Sequence, residues 1–153
     1  MQTNTSTIVI QCPVEDVFAF VTDARNNPLW QSNSGLRETH QMPESPVGVG
    51  TRITEVWHFM GRQSKATSEV TEYQLNQKYT RRGIEGPSPI VSGDFLFEPV
   101  AEGTRWIAAV NVKAGGLFAI AEPLLASTLK KGFENAMNEA KAILEKRHAA
   151  NPR

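Results

Sequence analysis

The stretch AGGLFAIAEPLLASTLKKGFENAMNEAKAILEKR, residues 114–147, carries the longest helical pattern in the chain. From about Leu117 to Arg147, apolar residues recur every three or four positions, which predicts an amphipathic helix. Pro123 suits the helix start, a kink or a short preceding turn. At about 1.5 Å per residue, such a helix is long enough to cover a whole sheet. Its apolar face consists of Leu125, Leu129, Phe133, Ala136, Met137, Ala140, Ile143 and Leu144.

Strands precede this helix. A strand near 7–12 comes first, followed by a helix from Pro13 to about Asn26 and a second short helical turn around Leu29-Trp30. Because the connections between the later strands are mostly short, those strands should pair antiparallel as a meander. Runs of β-prone residues between turn residues predict them near 36–41, 51–60, 64–75, 77–84, 90–98 and 104–113.

The bulk composition is typical of one globular domain spanning residues 1–153, with a frayed tail at 148–153. The 16 basic residues balance the 16 acidic ones, so we expect no nucleic-acid partner. No signal peptide begins the sequence, and no apolar stretch approaches the roughly 20 residues of a membrane span. We therefore expect a cytoplasmic protein without stable membrane insertion, and a homodimer is left open.

Metal and cofactor signals are missing from the sequence. The single cysteine, Cys12, excludes an intramolecular disulfide and offers no zinc spacing. None of the three histidines has an acidic or cysteine partner at a metal-binding spacing, and no glycine-rich loop suits a phosphate. We expect neither a metal nor a cofactor.

Several local phrases, in their order and spacing, connect the chain to a known superfamily. They are Asn27-Pro28-Leu29-Trp30, Gly48-Val49-Gly50-Thr51-Arg52, Val70-Thr71-Glu72-Tyr73, Phe95-Leu96-Phe97-Glu98-Pro99 and Gly103-Thr104-Arg105. Over about residues 5–147 the chain resembles the helix-grip (SRPBCC) superfamily of START domains, the major birch pollen allergen and bacterial polyketide cyclase/dehydrase and lipid transport-like proteins.

This resemblance implies an α+β helix-grip fold. In that fold a curved antiparallel sheet of about seven strands wraps around a long C-terminal α-helix, and one or two short helices follow the first strand. Members of the superfamily bind lipids, sterols, hormones or polyketides, and a minority catalyse cyclisation or dehydration. The superfamily has no universal catalytic motif, so the resemblance implies a cavity and no set of catalytic residues.

The strand predicted at 51–60 places a carboxylate on an otherwise apolar face. Alternation puts Glu55 on the same face as Trp57 and Phe59. Such a carboxylate could serve acid–base chemistry, pair with a cation across the sheet, lie on a wet rim, or be turned outward by a bulge. Burial of an unpaired carboxylate is costly, so we expect Glu55 to face the cavity and to pair with an arginine.

The strand predicted at 77–84 offers that arginine. Tyr79 and Arg81 share one face, and Arg82 points to the other. Arg81 could neutralise Glu55 or hold a ligand's carboxylate in a bidentate contact. An edge position that leaves both arginines solvated is the alternative.

Three functions remain open at this stage. The first is binding of a small hydrophobic ligand between sheet and helix, with an entrance near Gly115-Gly116 and the 85–90 loop. The second is a cyclase or dehydratase that uses Glu55 or Tyr79 to move a proton. The third is an interaction domain whose interior is filled by side chains. The predicted ligand-binding residues are Trp57, Phe59, Tyr79, Arg81, Phe95, Phe97, Trp106, Leu125 and Leu129.

Overall fold

One antiparallel sheet dominates the computed structural model, which describes residues 2–59 and 61–151. Its strands lie side by side in the order β1-β7-β6-β5-β4-β3-β2. Consecutive strands from β2 to β7 are neighbours, which confirms the predicted meander, and β1 closes the order by pairing with β7. The strands are β1 (Gln2–Ile10), β2 (Leu36–Met42), β3 (Arg52–Phe59), β4 (Arg62–Gln74), β5 (Lys78–Glu85), β6 (Ile90–Val100) and β7 (Gly103–Val112).

Three α-helices accompany the sheet in the described part of the chain: α1 (Val14–Thr22), α2 (Asn27–Gln31) and α3 (Glu122–Ala150). Pro13 precedes α1 with φ of −59°, a value that already suits a helix start. Pro123 lies in the first turn of α3, where its missing N–H leaves no helical hydrogen bond unmade. Short 3-10 turns cover Ala24–Asn26, Ser32–Ser34 and Gly116–Ala121.

Some boundaries differ from those predicted. β1 begins at Gln2 instead of residue 7, because its polar first half pairs with β7 in unbroken register from Gln2↔Val112 to Ile10↔Thr104. Pairing with a neighbour thus outweighs the weak strand preference of TNTS. α3 begins after the predicted start near Leu117 and continues past Arg147 to Ala150, so residues 148–150 are helical. Met60 and the last two residues of the predicted tail lie outside the described residues.

The C-terminal half of α3 is fixed to the sheet through β1. Ala136, Met137, Ala140 and Leu144 are buried against the core. The Lys141 Nζ donates a hydrogen bond to the Val9 carbonyl at 2.9 Å. None of the helices in the described residues is long and apolar enough to cross a membrane. The N-terminal half of α3, by contrast, lies over the sheet with a cavity between them.

Candidate functional site

A cavity of about 950 Å³ separates the sheet from the N-terminal half of α3. Its floor comes from β3 to β6, and α2 and α3 close it from the other side. The exposed β5–β6 loop, Glu85 to Pro89, also borders the cavity and gives it an opening to solvent. The Lys113 N–H donates to the Pro89 carbonyl at 2.8 Å, which keeps the chain leading to Gly115 beside this opening, where the entrance was predicted.

Seven of the predicted ligand-binding or catalytic residues line this cavity. β3 pairs with β4 in unbroken register, Arg52↔Glu69 through Phe59↔Arg62, so the predicted alternation of faces holds along β3. The side chain of Phe59 lies outside the described part of the structure. The lining members of the predicted set are Glu55, Trp57, Tyr79, Arg81, Phe95, Leu125 and Leu129.

Glu55 and Arg81 form an ion pair at the cavity wall. The Arg81 Nη2 lies 2.7 Å from the Glu55 Oε1, and the two side chains are 20% and 12% exposed, respectively. Burial lowers the pKa of Arg81, but the adjacent Glu55 carboxylate outweighs burial and raises that pKa above its usual value. Arg81 therefore keeps its charge. The predicted pairing of Glu55 with an arginine is present.

Two further side chains complete this arrangement, which we call the polar cluster: Asn27, Glu55, Ser68 and Arg81. The Ser68 hydroxyl accepts hydrogen bonds from the Arg81 Nε at 2.9 Å and from its Nη2 at 2.6 Å. The Asn27 Nδ2 donates to the Glu55 Oε2 at 3.3 Å. Both carboxylate oxygens and two of the guanidinium nitrogens thus have partners, which offsets the cost of removing the ion pair from water.

Sheet geometry explains why these residues meet. Arg81 on β5 lies opposite Val70 on β4, and Ser68 is two residues along β4 on the same face. Across β3, Ile53 pairs with Ser68 and Glu55 with Ala66, so Glu55 is the diagonal neighbour of Ser68. Arg82, the adjacent arginine, is exposed as alternation requires.

Two polar atoms beside the polar cluster have no hydrogen-bond partner among the described residues. They are the Asn27 Oδ1 and the Trp30 Nε1, both completely buried. Both residues belong to α2, and both line the cavity. Asn27 had no predicted role. The local signal was Asn-Pro at the start of a short helix, which predicts the helical turn but not the contact of Asn27 with Glu55.

Tyr79 brings a hydroxyl to the same wall. It lies opposite Phe95 across β5 and β6, and its side chain is buried. Burial raises the pKa of Tyr79 to about 12, although Arg81 nearby acts in the opposite direction. Tyr79 is therefore neutral at physiological pH and able to donate a hydrogen bond into the cavity.

Phe97 and Trp106 require a correction, because they do not line the cavity. Phe97 packs edge-on against Phe18 of α1 with ring centroids 5.1 Å apart, and Trp106 packs edge-on against Trp30 of α2 at 5.5 Å. The short helices after β1 fill this end of the space over the sheet. Face alternation correctly placed both residues inside, but it could not locate the boundary between filled core and cavity.

Cys12 belongs to the buried core. Its thiol is buried and donates to the Leu144 carbonyl at 3.2 Å, and burial raises its pKa. Within the described residues no group of three or more His, Cys, Asp and Glu side chains could hold a metal ion. The polar side chains that line the cavity include the polar cluster and Tyr79, together with Arg37, His58 and Lys130.

Comparison with known proteins agrees with this architecture. A model of the family described as polyketide cyclase/dehydrase and lipid transport matches residues 1–145. The chain belongs to this family. No curated protein shows significant similarity to the chain. The resemblance inferred from the sequence and the helix-grip fold class are both confirmed.

Solved structures share the fold at low sequence identity. TTHA0849 from Thermus thermophilus is 17% identical with a TM-score of 0.76, and the match covers 98% of this chain and 99% of that one. The Zhui aromatase/cyclase from Streptomyces sp. R1128 is 13% identical with a TM-score of 0.73, over 95% and 94% of the two chains. The di-domain ARO/CYC StfQ from the steffimycin biosynthetic pathway is 17% identical with a TM-score of 0.76, and 96% of this chain covers 51% of it.

Proposed function

We propose that this protein binds a small hydrophobic or amphipathic molecule, such as a lipid, a polyketide or an aromatic metabolite, between the sheet and α3. The observation that carries the proposal is the cavity of about 950 Å³. Ligand sites in proteins typically enclose about 300–1,000 Å³ and combine apolar walls with a few placed polar groups. Trp57, Phe95 and Leu129 supply the apolar wall here, and the polar cluster supplies the polar end.

A fluorescence titration tests this proposal directly. N-phenyl-1-naphthylamine is neutral and apolar, and its emission rises when it leaves water. We expect saturable binding with one molecule per chain, accompanied by quenching of Trp57, which lines the cavity. Native mass spectrometry of protein purified from its own host would then identify a co-purifying molecule. Absence of saturable binding for this probe would overturn the proposal.

An interaction domain without a ligand is the competing hypothesis. It requires an interior filled by side chains, so that no small molecule could enter. The cavity volume and its exposed β5–β6 loop favour ligand binding over this hypothesis. The same titration separates the two, because a filled interior would leave the probe in solvent.

Catalysis of a ring closure is a second candidate function, favoured by one observation. Tyr79 lines the cavity with a hydroxyl that makes no hydrogen bond to other described residues, and its raised pKa keeps the proton in place. An intramolecular aldol condensation forms one carbon–carbon bond and releases water, so it needs no external co-reactant. A neutral tyrosine could donate a hydrogen bond to the oxygen on which charge develops.

To test catalysis, the protein is incubated with a linear poly-β-ketone thioester. Mass spectrometry then measures how fast a product forms that is lighter than the substrate by one water molecule. Catalysis by Tyr79 requires that Tyr79→Phe still binds the probe but loses at least about a hundredfold in turnover, the lower end of the effect of removing one preorganised donor to a developing oxyanion. Equal turnover by the two proteins would rule out this role. Binding without any turnover would leave ligand binding as the function.

A further inference from the structure

The polar cluster contains charges that cancel within the protein. Arg81 is the cation of this cluster, and its Nη2 contacts the Glu55 carboxylate at 2.7 Å. Arg37 and Lys130 also border the cavity, but they lie outside the cluster. Both groups are largely buried, so solvent screens them less than it would at the surface. A ligand that enters the cavity meets a compensated pair and no free positive charge at this cluster.

An anionic ligand would gain little from this site. Its attraction to Arg81 is opposed by its repulsion from Glu55, and the two interactions act over similar distances in the same low-dielectric surroundings. The anion would still lose its hydration on entering the cavity. At the polar cluster a carboxylate therefore bears the cost of desolvation without an unpaired cation to offset it.

The unsatisfied hydrogen-bonding atoms favour a neutral polar group. The Asn27 amide directs its Nδ2 to Glu55, which leaves the buried Oδ1 as an acceptor without a partner among the described residues. Asn27 is only 2% exposed, so a ligand group in the cavity is well placed to be that partner. The Trp30 Nε1 is a buried donor on the same short helix, likewise unsatisfied within the described structure. A group that both donates and accepts, such as a hydroxyl or a carboxamide, matches this combination.

We infer that the polar cluster selects ligands with a neutral donor–acceptor group over ligands with a carboxylate, and that Glu55 sets this selectivity by neutralising Arg81. The inference rests on the proposed binding function. It assigns Glu55 to ligand discrimination and leaves hydrogen-bond donation to Tyr79. At the polar cluster it favours alcohols, phenols and amides over carboxylates of similar size.

Two ligands of the same shape test the inference on the wild-type protein. 2-Naphthamide and 2-naphthoate are isosteric, and at neutral pH only the second is charged. We expect naphthamide to displace N-phenyl-1-naphthylamine at a concentration at least about tenfold lower than naphthoate does. A tenfold ratio corresponds to a difference of about 1.4 kcal/mol in binding free energy. Equal potency, or a preference for naphthoate, would overturn the inference.

The Glu55→Gln variant tests the role of Glu55. Loss of the carboxylate charge leaves Arg81 unpaired, so affinity for naphthoate should rise at least about tenfold and the preference should narrow or reverse. Glu98→Gln is the matched control, because Glu98 pairs with Arg105 on the exposed surface and its removal should change the binding of neither ligand. If Glu55→Gln fails to fold, the wild-type comparison still decides the selectivity.

The outcomes separate this inference from the proposed function. If the apolar probe binds but neither naphthalene derivative displaces it, ligand binding stands and the inference about the polar end is wrong. If the probe does not bind at all, both fail. If Glu55→Gln raises the affinity for naphthoate no more than it raises the affinity for naphthamide, Glu55 does not determine the selectivity.

Discussion

Arg81 on β5 and Gly93 on β6 lie directly opposite each other in the sheet. Gly93 shares its face with Phe95, so the missing side chain leaves open space beside the guanidinium of Arg81. A Cβ placed on Gly93 would meet no atom within 4 Å. The glycine therefore contributes to cavity volume next to the polar cluster.

Gly93→Leu should narrow the cavity beside the polar cluster without disturbing the fold. The new side chain enters empty space, and Gly93 does not have the positive φ that only glycine adopts easily. We expect affinity for N-phenyl-1-naphthylamine to fall at least about tenfold, because the leucine occupies volume that the ligand needs. The free energy of unfolding should stay within about 1 kcal/mol of wild type, since strands disfavour glycine by a similar amount.

Gly48→Leu is the matched control for this substitution. Gly48 precedes β3, and a Cβ there also meets nothing within 4 Å, but the residue does not line the cavity. This variant should bind the probe like wild type. If both variants lose binding equally, the effect does not come from cavity filling.

Removal of Arg81 alone should destabilise the protein more than removal of the whole ion pair. Arg81→Met leaves Glu55 buried without its cation, and we expect a loss of about 3–5 kcal/mol in the free energy of unfolding. The double variant Glu55→Gln/Arg81→Met removes both charges and should lose less than the sum of the single changes Glu55→Gln and Arg81→Met. Urea denaturation of these three variants and the wild type measures the coupling, expected at about 1–3 kcal/mol.

The exposed pair Glu98–Arg105 provides the comparison for this cycle. Its side chains are 51% and 45% exposed, so solvent weakens their interaction. We expect a coupling below about 1 kcal/mol there. Similar coupling in the two pairs would show that burial does not strengthen the Glu55–Arg81 interaction.

Much of the sheet and its faces could be predicted from the sequence because period-2 alternation is a local property. β3 pairs with β4 without a bulge, so the position of Glu55 followed from counting residues. Arg81 faced inward and Arg82 outward for the same reason. The apolar spacing of α3 likewise predicted Met137 and Leu144 in the core, since a helix repeats its faces from its own sequence.

The rest depended on contacts between distant segments. The residues TNTS of β1 carry no strong strand signal and pair because β7 is beside them. Asn27 reaches Glu55 through the placement of α2, which its short sequence does not specify. Phe97 and Trp106 became core because α1 and α2 cover them, and periodicity cannot show how much of a sheet a helix covers.

Alkaline pH should destabilise the wild type relative to Tyr79→Phe. The pKa of Tyr79 is raised from 10.0 to about 12, so between these values the unfolded chain loses the proton while the folded protein keeps it. The contribution of Tyr79 to the free energy of unfolding is fully present below about pH 10, and it decreases as the pH rises towards the folded-state pKa. At about 1.36 kcal/mol per pKa unit, the difference in unfolding free energy between the two proteins should change by up to about 3 kcal/mol over this pH range.

Urea denaturation of both proteins at a series of alkaline pH values measures this change. The two proteins share every other titrating group, so those contributions cancel in the difference. The removed hydroxyl makes no hydrogen bond to other described residues, so Tyr79→Phe should fold. If the free energy of unfolding changed with pH in the same way for both proteins, the raised pKa of Tyr79 would be contradicted.

Two glycines in neighbouring strands should respond oppositely to the same substitution. Gly103 begins β7 with φ of +142°, and a Cβ there would come within 2.3 Å of the Ile10 carbonyl oxygen and 2.8 Å of the Cys12 nitrogen. These are backbone atoms of the turn that leads from β1 to α1, so they cannot yield as a flexible side chain would. Gly103→Ala should therefore lose at least about 2 kcal/mol of unfolding free energy, with backbone strain alone contributing about 1–3 kcal/mol.

Gly93→Ala, in open space, should be neutral or gain up to about 1 kcal/mol. Equal effects in urea denaturation would mean that the close approach of Gly103 to the β1–α1 turn does not constrain the fold.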